Sequence, residues 1–309
     1  MKPLYIDIMK NVKGIKAFFS TKYGASNGSP YYHEEALKQL GMEDKILAQP
    51  QQVHEAKIGI IGEQDCRIID EEGCVIQAWS CDEAGPVIEA WSQGGKMVAE
   101  NPDLKSGTTG GNQLDLADPS GIAAKQGGNH IRFPRTDGVI TDQKNILLTT
   151  VHADCLPVWL YDEEHHAIGL VHAGWRGTLA GIAPKAVKLM HENYGSDPAK
   201  MKAAIGPGIS LCCFETGPEV IEAFRAHWDF ADKYAEPAEK RPDGNAGKFY
   251  IDLKGINTEE LLQAGILRKN IEVSHHCTHC EPETFASYRR EGGTYMRMGA
   301  GITLTDTPE

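Results

Sequence analysis

The chain has 309 residues, 24% of them charged and 41% hydrophobic, which is the composition of a globular protein with one large domain or two smaller ones. Its 31 basic and 43 acidic residues leave a net charge of −12, which argues against wrapping nucleic acid and leaves room only for a local basic pocket. Eight cysteines in a chain this long do not make a secreted disulfide scaffold; they read as metal ligands, nucleophiles or core filler.

No run approaches the ~18 consecutive apolar residues of a membrane span. Lys10, Lys13 and Lys16 interrupt the apolar N-terminal residues, so no secretory signal is expected and the expected compartment is the cytosol. From about residue 62 to 135 the chain is rich in glycine pairs, carries Cys66, Cys74 and Cys81, and repeats Ala78-Trp-Ser80 as Ala90-Trp-Ser92. That stretch reads as a long insertion within a single domain covering residues 1–309. Beyond it, Ile146–Val151, Val158–Tyr161 and Ala167–Val171 are short apolar runs rich in strand formers, the last two joined by the polar turn Asp162–His165. Apolar residues at three- and four-residue spacings predict a helix from Thr178 to Tyr194, stopped by Gly195 and kinked by Pro184. Strands are expected at Met201–Ile205 and Phe249–Leu253, with later ones at Glu272–Ser274 and Met296–Leu304. Helices are expected at Pro218–Ala226 and from an Asn257 cap to Ala264. Strand pairs on short turns, mixed with helices, favour an α+β fold with mixed sheets.

Metal-type ligands gather in three places: Gln51-Gln-Val-His54, His152-Ala-Asp-Cys155 and His172-Ala-Gly-Trp-Arg-Gly177. The last two follow neighbouring predicted strands, so Cys155 and His172 are expected to converge. Zinc favours imidazole nitrogen and thiolate sulfur in a tetrahedron, and a catalytic zinc keeps one of four positions open. Two histidines and one cysteine would supply three ligands and leave that opening.

Gln52-Val-His54, Ala153-Asp-Cys155-x-Pro157 and the six-residue run His172–Gly177 resemble the YfiH, or laccase-domain, family, also described as polyphenol oxidases. Gly206-Pro-Gly-Ile209 with Cys212-Cys213-Phe-Glu215, and Cys277-Thr278 with Ser287-Tyr-Arg-Arg290, extend the resemblance. It covers roughly residues 48–61 and 136–304. The resemblance implies a layered α/β/β/α sandwich and one zinc ion on His54, Cys155 and His172. It further implies phosphorolysis of adenosine, inosine, guanosine and methylthioadenosine, and hydrolytic deamination of adenosine. Purine nucleosides and inorganic phosphate are then the partners, with no nucleic acid or membrane. Glu55 departs from the family's usual glycine after the histidine, and the segment before Asp137 is longer than usual.

Within that reading, Arg176, at a glycine-rich turn entering a helix, is the candidate anion contact, with Lys22 and Arg289 as further substrate contacts. Asp154, beside Cys155, is expected to orient a ligand or accept a proton. One or both of Cys212 and Cys213 read as buried thiols. Cys277-Thr-His-Cys280 resembles half a zinc ribbon, but the chain has no second Cys-x-x-Cys.

Three other chemistries compete with this reading. A multicopper oxidase needs many histidines around several metals, and the chain has no His-x-His pair, which makes copper the weaker alternative. A cysteine-histidine hydrolase or deamidase would use Cys155 as nucleophile and His172 as base. A non-catalytic zinc-binding module would need a fourth protein ligand to close the shell.

Overall fold

A computed structural model describes residues 5–23, 34–63, 65–80, 130–242, 244–294 and 296–305. Along strand Leu156–Asp162 every residue is buried, because both faces of its sheet are covered. Alternation sorts the side chains: Leu156, Val158 and Leu160 pack with helical residues such as Val187 and Met190, whereas Trp159 and Tyr161 pack with Phe19, Leu148 and Ile302 of a second sheet. Trp159 buries its indole between the sheets and satisfies Nε1–H by donating to the Gly301 carbonyl at 3.1 Å.

The first sheet has eight strands in the order Ile271–Val273, Lys202–Ile205, Leu156–Asp162, Ala167–Ala173, Gly138–Thr141, Ile58–Ile61, Asp65–Ile69 and Val75–Ser80. The second has six, in the order Tyr5–Ile8, Ile15–Ser20, Met298–Leu304, Ile146–His152, Ile46–Pro50 and His130–Phe133. Both mix parallel and antiparallel pairs. A small three-stranded sheet joins Glu215–Thr216, Phe249–Ile251 and Ala235–Pro237. Helices Ile182–Tyr194, Pro218–His227 and Leu253–Gln263 bury Val187, Ile221 and Ile256 in the outer core of the eight-stranded sheet. Helix Glu34–Leu40 sets Leu37 against Phe18 and Leu147 on the outer face of the six-stranded sheet. The result is a mixed α+β fold in α/β/β/α layers.

The Asp162–His165 turn, the Pro218 helix and the strands lie where expected, except that the strand expected at Phe249–Leu253 ends at Ile251. Two expectations need correction. The Thr178–Tyr194 helix is broken into Trp175–Leu179 and Ile182–Tyr194, and the break falls at Gly181 (φ 66°), where a left-handed backbone favours glycine. Pro184 thus sits in the first turn of the second helix, where a missing N–H costs nothing. The helix assigned to an Asn257 cap starts instead at Leu253, and Asp252 caps it by accepting from Gly255 N–H at 3.0 Å. Asn257 is buried inside that helix and donates to Thr178 Oγ1 at 2.9 Å.

Segment 62–135 supplies strands Asp65–Ile69 and Val75–Ser80 to one sheet and His130–Phe133 to the other. The Ala90-Trp-Ser92 repeat lies outside the described residues. Among the described residues no helix is long and apolar enough to cross a membrane.

Candidate metal centre

One end of the eight-stranded sheet gathers the site. Leu156 pairs with Ala173 across the hairpin, so Cys155, just outside its strand, is brought against the end of the His172 strand. Strand Ile58–Ile61 runs parallel to Gly138–Thr141, and the loop before it, which crosses from the other sheet, carries His54. Gln52 fixes that loop to strand Ile146–His152: its amide donates to Val151 O and accepts from Val151 N–H, both at 2.7 Å. His54 itself has a left-handed backbone, φ 65°.

The donor atoms of His54, Cys155 and His172 lie within 4.8 Å of one another, with His54 Nε2 4.0 Å from Cys155 Sγ. Exposure falls from His54 through Cys155 to His172, so the centre opens on the His54 side. Gly174 lines it. A Cβ there would lie 3.1 Å from Cys155 Sγ and from His54 Cδ2.

Asp137 organises the two histidine sides. Its Oδ1 accepts from His172 Nδ1–H at 3.0 Å and from His54 N–H at 2.9 Å, while Oδ2 accepts from Val53 and Glu55 N–H at 3.1 and 2.9 Å. With Nδ1 occupied, His172 presents Nε2 to Cys155 and His54, as a metal-ligating histidine does when a carboxylate holds its other nitrogen. Burial alone would raise the Asp137 carboxyl, but the His172 hydrogen bond and charge and the backbone donors bring it below its usual range. Burial would likewise push the Cys155 thiol up, but His172 and His54 hold it at about 6. His172 is raised to about 9 against its own burial by Cys155 and Asp137. Without a metal these groups form a thiolate–imidazolium pair.

His152 stands next to His172, with ring centroids 5.3 Å apart, yet it is no fourth ligand. Its Nδ1–H donates to Cys155 O at 3.1 Å and its Nε2 accepts from Thr150 Oγ1 at 2.8 Å, so both nitrogens are used. Burial and the neighbouring His172 charge push it well below the usual imidazole value, so it stays neutral. Among the described residues the cluster has three ligands, all with nitrogen or sulfur donors suited to zinc.

The remaining site residues separate by what they touch. Both oxygens of Asp154 are engaged, Oδ1 by Thr278 Oγ1–H at 2.6 Å and Oδ2 by Ser287 Oγ–H at 3.0 Å and Arg289 N–H at 2.7 Å. It therefore fixes the loops beside Cys155, in line with the expectation that it orients a neighbouring group, and both of its oxygens already accept hydrogen bonds. Arg289 donates to the carbonyls of Glu215 and Cys213 at 2.7 and 3.4 Å, and Lys22 donates to Pro282 O; both brace loops. Arg176 is exposed two residues beyond Gly174, its guanidinium 4.3 Å from the centroid of the Trp175 ring. Glu55, where a glycine is usual, pairs with Lys57 at 2.6 Å and Arg135 at 2.9 Å.

A family model described as "Multi-copper polyphenol oxidoreductase laccase" matches residues 110–305. Purine nucleoside phosphorylase YlmD of Bacillus subtilis (strain 168) is 37% identical over 177 residues, 57% of this chain and 62% of that protein. The namesake from Geobacillus stearothermophilus is 37% identical over 171 residues, 55% of this chain and 60% of its own length. The chain thus spans about three fifths of these two relatives, 62% and 60%. Adenosine deaminase RL5, from an unknown prokaryotic organism, is 28% identical over a 318-residue alignment covering 96% of this chain and 97% of that protein. The crystal structure of Bacillus licheniformis hypothetical protein YfiH matches with a TM-score of 0.69 at 25% identity, over 98% of this chain and 97% of that one.

Proposed function

The chain belongs to the laccase-like multi-copper polyphenol oxidoreductase family, and from that premise we propose that it is a cytoplasmic, zinc-dependent purine nucleoside phosphorylase with adenosine deaminase activity. The observation that carries this reading is the convergence of His54, Cys155 and His172 around one open centre, with Asp137 fixing the tautomer of His172. The relatives' names, phosphorylase and adenosine deaminase, supply the substrate class. Zinc bound there would act as a Lewis acid and could acidify a water ligand from 15.7 to about 7.

The chain's own residues have separable tasks. His54, Cys155 and His172 hold the metal, and Asp137 keeps His172 Nε2 available to it. Arg176, with no carboxylate partner among the described residues, contacts the anionic phosphate that attacks C1′ as the C1′–N9 bond breaks. Asp154 keeps the Cys155 turn and the Thr278 and Ser287 loops in register. The donor set argues against laccase chemistry: the two ligand clusters among the described residues contain only two histidines between them, too few for a multicopper centre.

The deciding assay is hypoxanthine release from inosine with and without phosphate, run beside metal analysis and ammonia release from adenosine. Phosphate-dependent turnover by zinc-loaded protein is expected, and Cys155→Ala loses zinc and both activities together. Zinc-loaded protein inert toward both nucleosides would overturn the reading. The thiolate–imidazolium pair supports a second reading, a Cys155 nucleophile with His172 as base. It predicts activity in metal-free protein and inactivation by iodoacetamide at Cys155 even with zinc present.

A further inference from the structure

A second ligand cluster lies apart from the His54 centre. The turn around Ser210 is closed by Cys213 N–H and Phe214 N–H donating to Ser210 O at 2.9 and 3.0 Å, and it carries the adjacent Cys212 and Cys213. The turn Cys277–Cys280 is closed by Glu281 N–H donating to Cys277 O at 3.1 Å. A parallel bridge between Gly208 and Cys277 places the two turns side by side. All four sulfurs then fall within 4.8 Å of one another, with Cys212–Cys277 at 3.7 Å, Cys212–Cys280 at 3.5 Å and Cys213–Cys280 at 3.2 Å. Four thiolates at about 2.3 Å from a tetrahedral zinc stand about 3.8 Å apart, close to this spread.

We propose that Cys212, Cys213, Cys277 and Cys280 bind a structural zinc ion that staples these two turns together, distinct from the three-ligand centre. The surroundings favour such a site independently of the sulfurs. Four thiolates outweigh one divalent ion, so the centre is anionic and needs cations nearby. Lys254 is buried; its ammonium donates to Ser210 Oγ, Ser274 O and His276 O at 3.0, 3.0 and 2.6 Å, and the charges of Cys277, Asp252, Cys212 and Glu281 all favour it. A buried ammonium needs anionic neighbours, and thiolates at Cys277 and Cys212 would add to the two carboxylates. Arg241 donates to Cys212 O at 3.0 Å, Arg289 to Cys213 O at 3.4 Å, and Arg290 to Thr278 and His279 O at 2.7 and 2.9 Å.

The staple reaches the other centre through one residue. Thr278, between the two cysteines of its turn, donates to Asp154, and Ile209 N–H donates to Asp154 O at 2.8 Å. Asp154 directly precedes Cys155.

The test compares wild type, Cys155→Ala and Cys280→Ser, purified anaerobically with reductant and analysed for metal. Cys280 is exposed, so its replacement by serine disturbs packing little. Expected contents are two zinc equivalents for the wild type, and one for each variant. After cobalt exchange, Cys155→Ala keeps the strong thiolate-to-cobalt charge-transfer bands of a tetrahedral four-sulfur site, whereas Cys280→Ser loses them. If the His54 centre proved metal-free, wild type and Cys155→Ala would match, and the four-sulfur spectrum would still decide this proposal. Should Cys280→Ser not fold, iodoacetamide footprinting of Cys155→Ala replaces it: the four cysteines should resist alkylation until zinc is chelated. Undiminished metal in Cys280→Ser, free alkylation before chelation, iron in place of zinc, or disulfides among the four would each overturn the assignment.

Discussion

Asp137 Oδ1 accepts the Nδ1 proton of His172 at 3.0 Å, with both side chains buried, and the same carboxylate caps three consecutive amides of the His54 loop. One acidic residue thus sets the tautomer of one ligand and the position of another. Asp137→Asn keeps the shape but turns a donor toward those amides. We expect zinc affinity to fall about 10–100-fold and stability to fall by about 1–3 kcal/mol. Chelator competition and thermal melts measure the two effects; unchanged zinc affinity would make Asp137 a loop brace only.

Metal uptake should depend on pH with a sign fixed by the Cys155–His172 pair. In metal-free protein the thiol titrates near 6 and the imidazolium near 9. Zinc needs both ligands deprotonated, so between those values each zinc displaces one proton, from His172. Apparent affinity therefore rises roughly tenfold per pH unit across that window, more steeply below it, and levels off above it. Competition titrations across the range, with proton release by calorimetry in buffers of different ionisation heat, test this. Affinity flat from mildly acidic to mildly alkaline pH would show that His172 is already neutral.

Gly174→Ala separates crowding from stability. The glycine has φ −71° and ψ 170°, a backbone any residue adopts, so alanine brings no strain there. Its Cβ would sit 3.1 Å from Cys155 Sγ and His54 Cδ2 and 3.7 Å from His172 Cε1, forcing the ligands apart by a few tenths of an ångström. Metal-free protein should be as stable as wild type or up to about 1 kcal/mol more so, because the unfolded chain loses freedom. Zinc affinity should drop about tenfold. A variant that melts lower without metal would point to packing beyond the ligand shell.

The three candidate ligands were legible because each lies inside a local motif, and the strands because their apolar runs are short and flanked by turn residues. Asp137 was not: no periodicity marks a single aspartate before Gly138–Thr141 as the partner of amides more than 80 residues earlier. The cysteine quartet was half visible, since Cys277-x-x-Cys280 has ligand spacing, but its other half is an adjacent pair 65 residues upstream that only the Gly208–Cys277 bridge brings near. Asp252 was hidden as a cap because it follows the strand run Phe249–Ile251 directly, leaving no gap to mark a helix start. The contacts of Asp154 are not legible, because its three donors come from residues 278–289, far along the chain.

Glu260 bears on stability away from both candidate metal clusters. It lies on helix Leu253–Gln263, buried, and neither carboxylate oxygen has a partner among the described residues. Burial pushes its pKa well above the usual 4.5, so the folded protein keeps it protonated where the unfolded chain ionises. The folded state then holds the extra proton, and stability falls as pH rises above the unfolded value until the folded pKa is reached. Glu260→Gln removes the titration while keeping the shape. We expect the variant to gain of order 1 kcal/mol on wild type at neutral pH and to lose that gain near pH 4. Denaturant midpoints at the two pH values decide it: an equal difference at both would mean that ionisation of Glu260 is not the source of the cost.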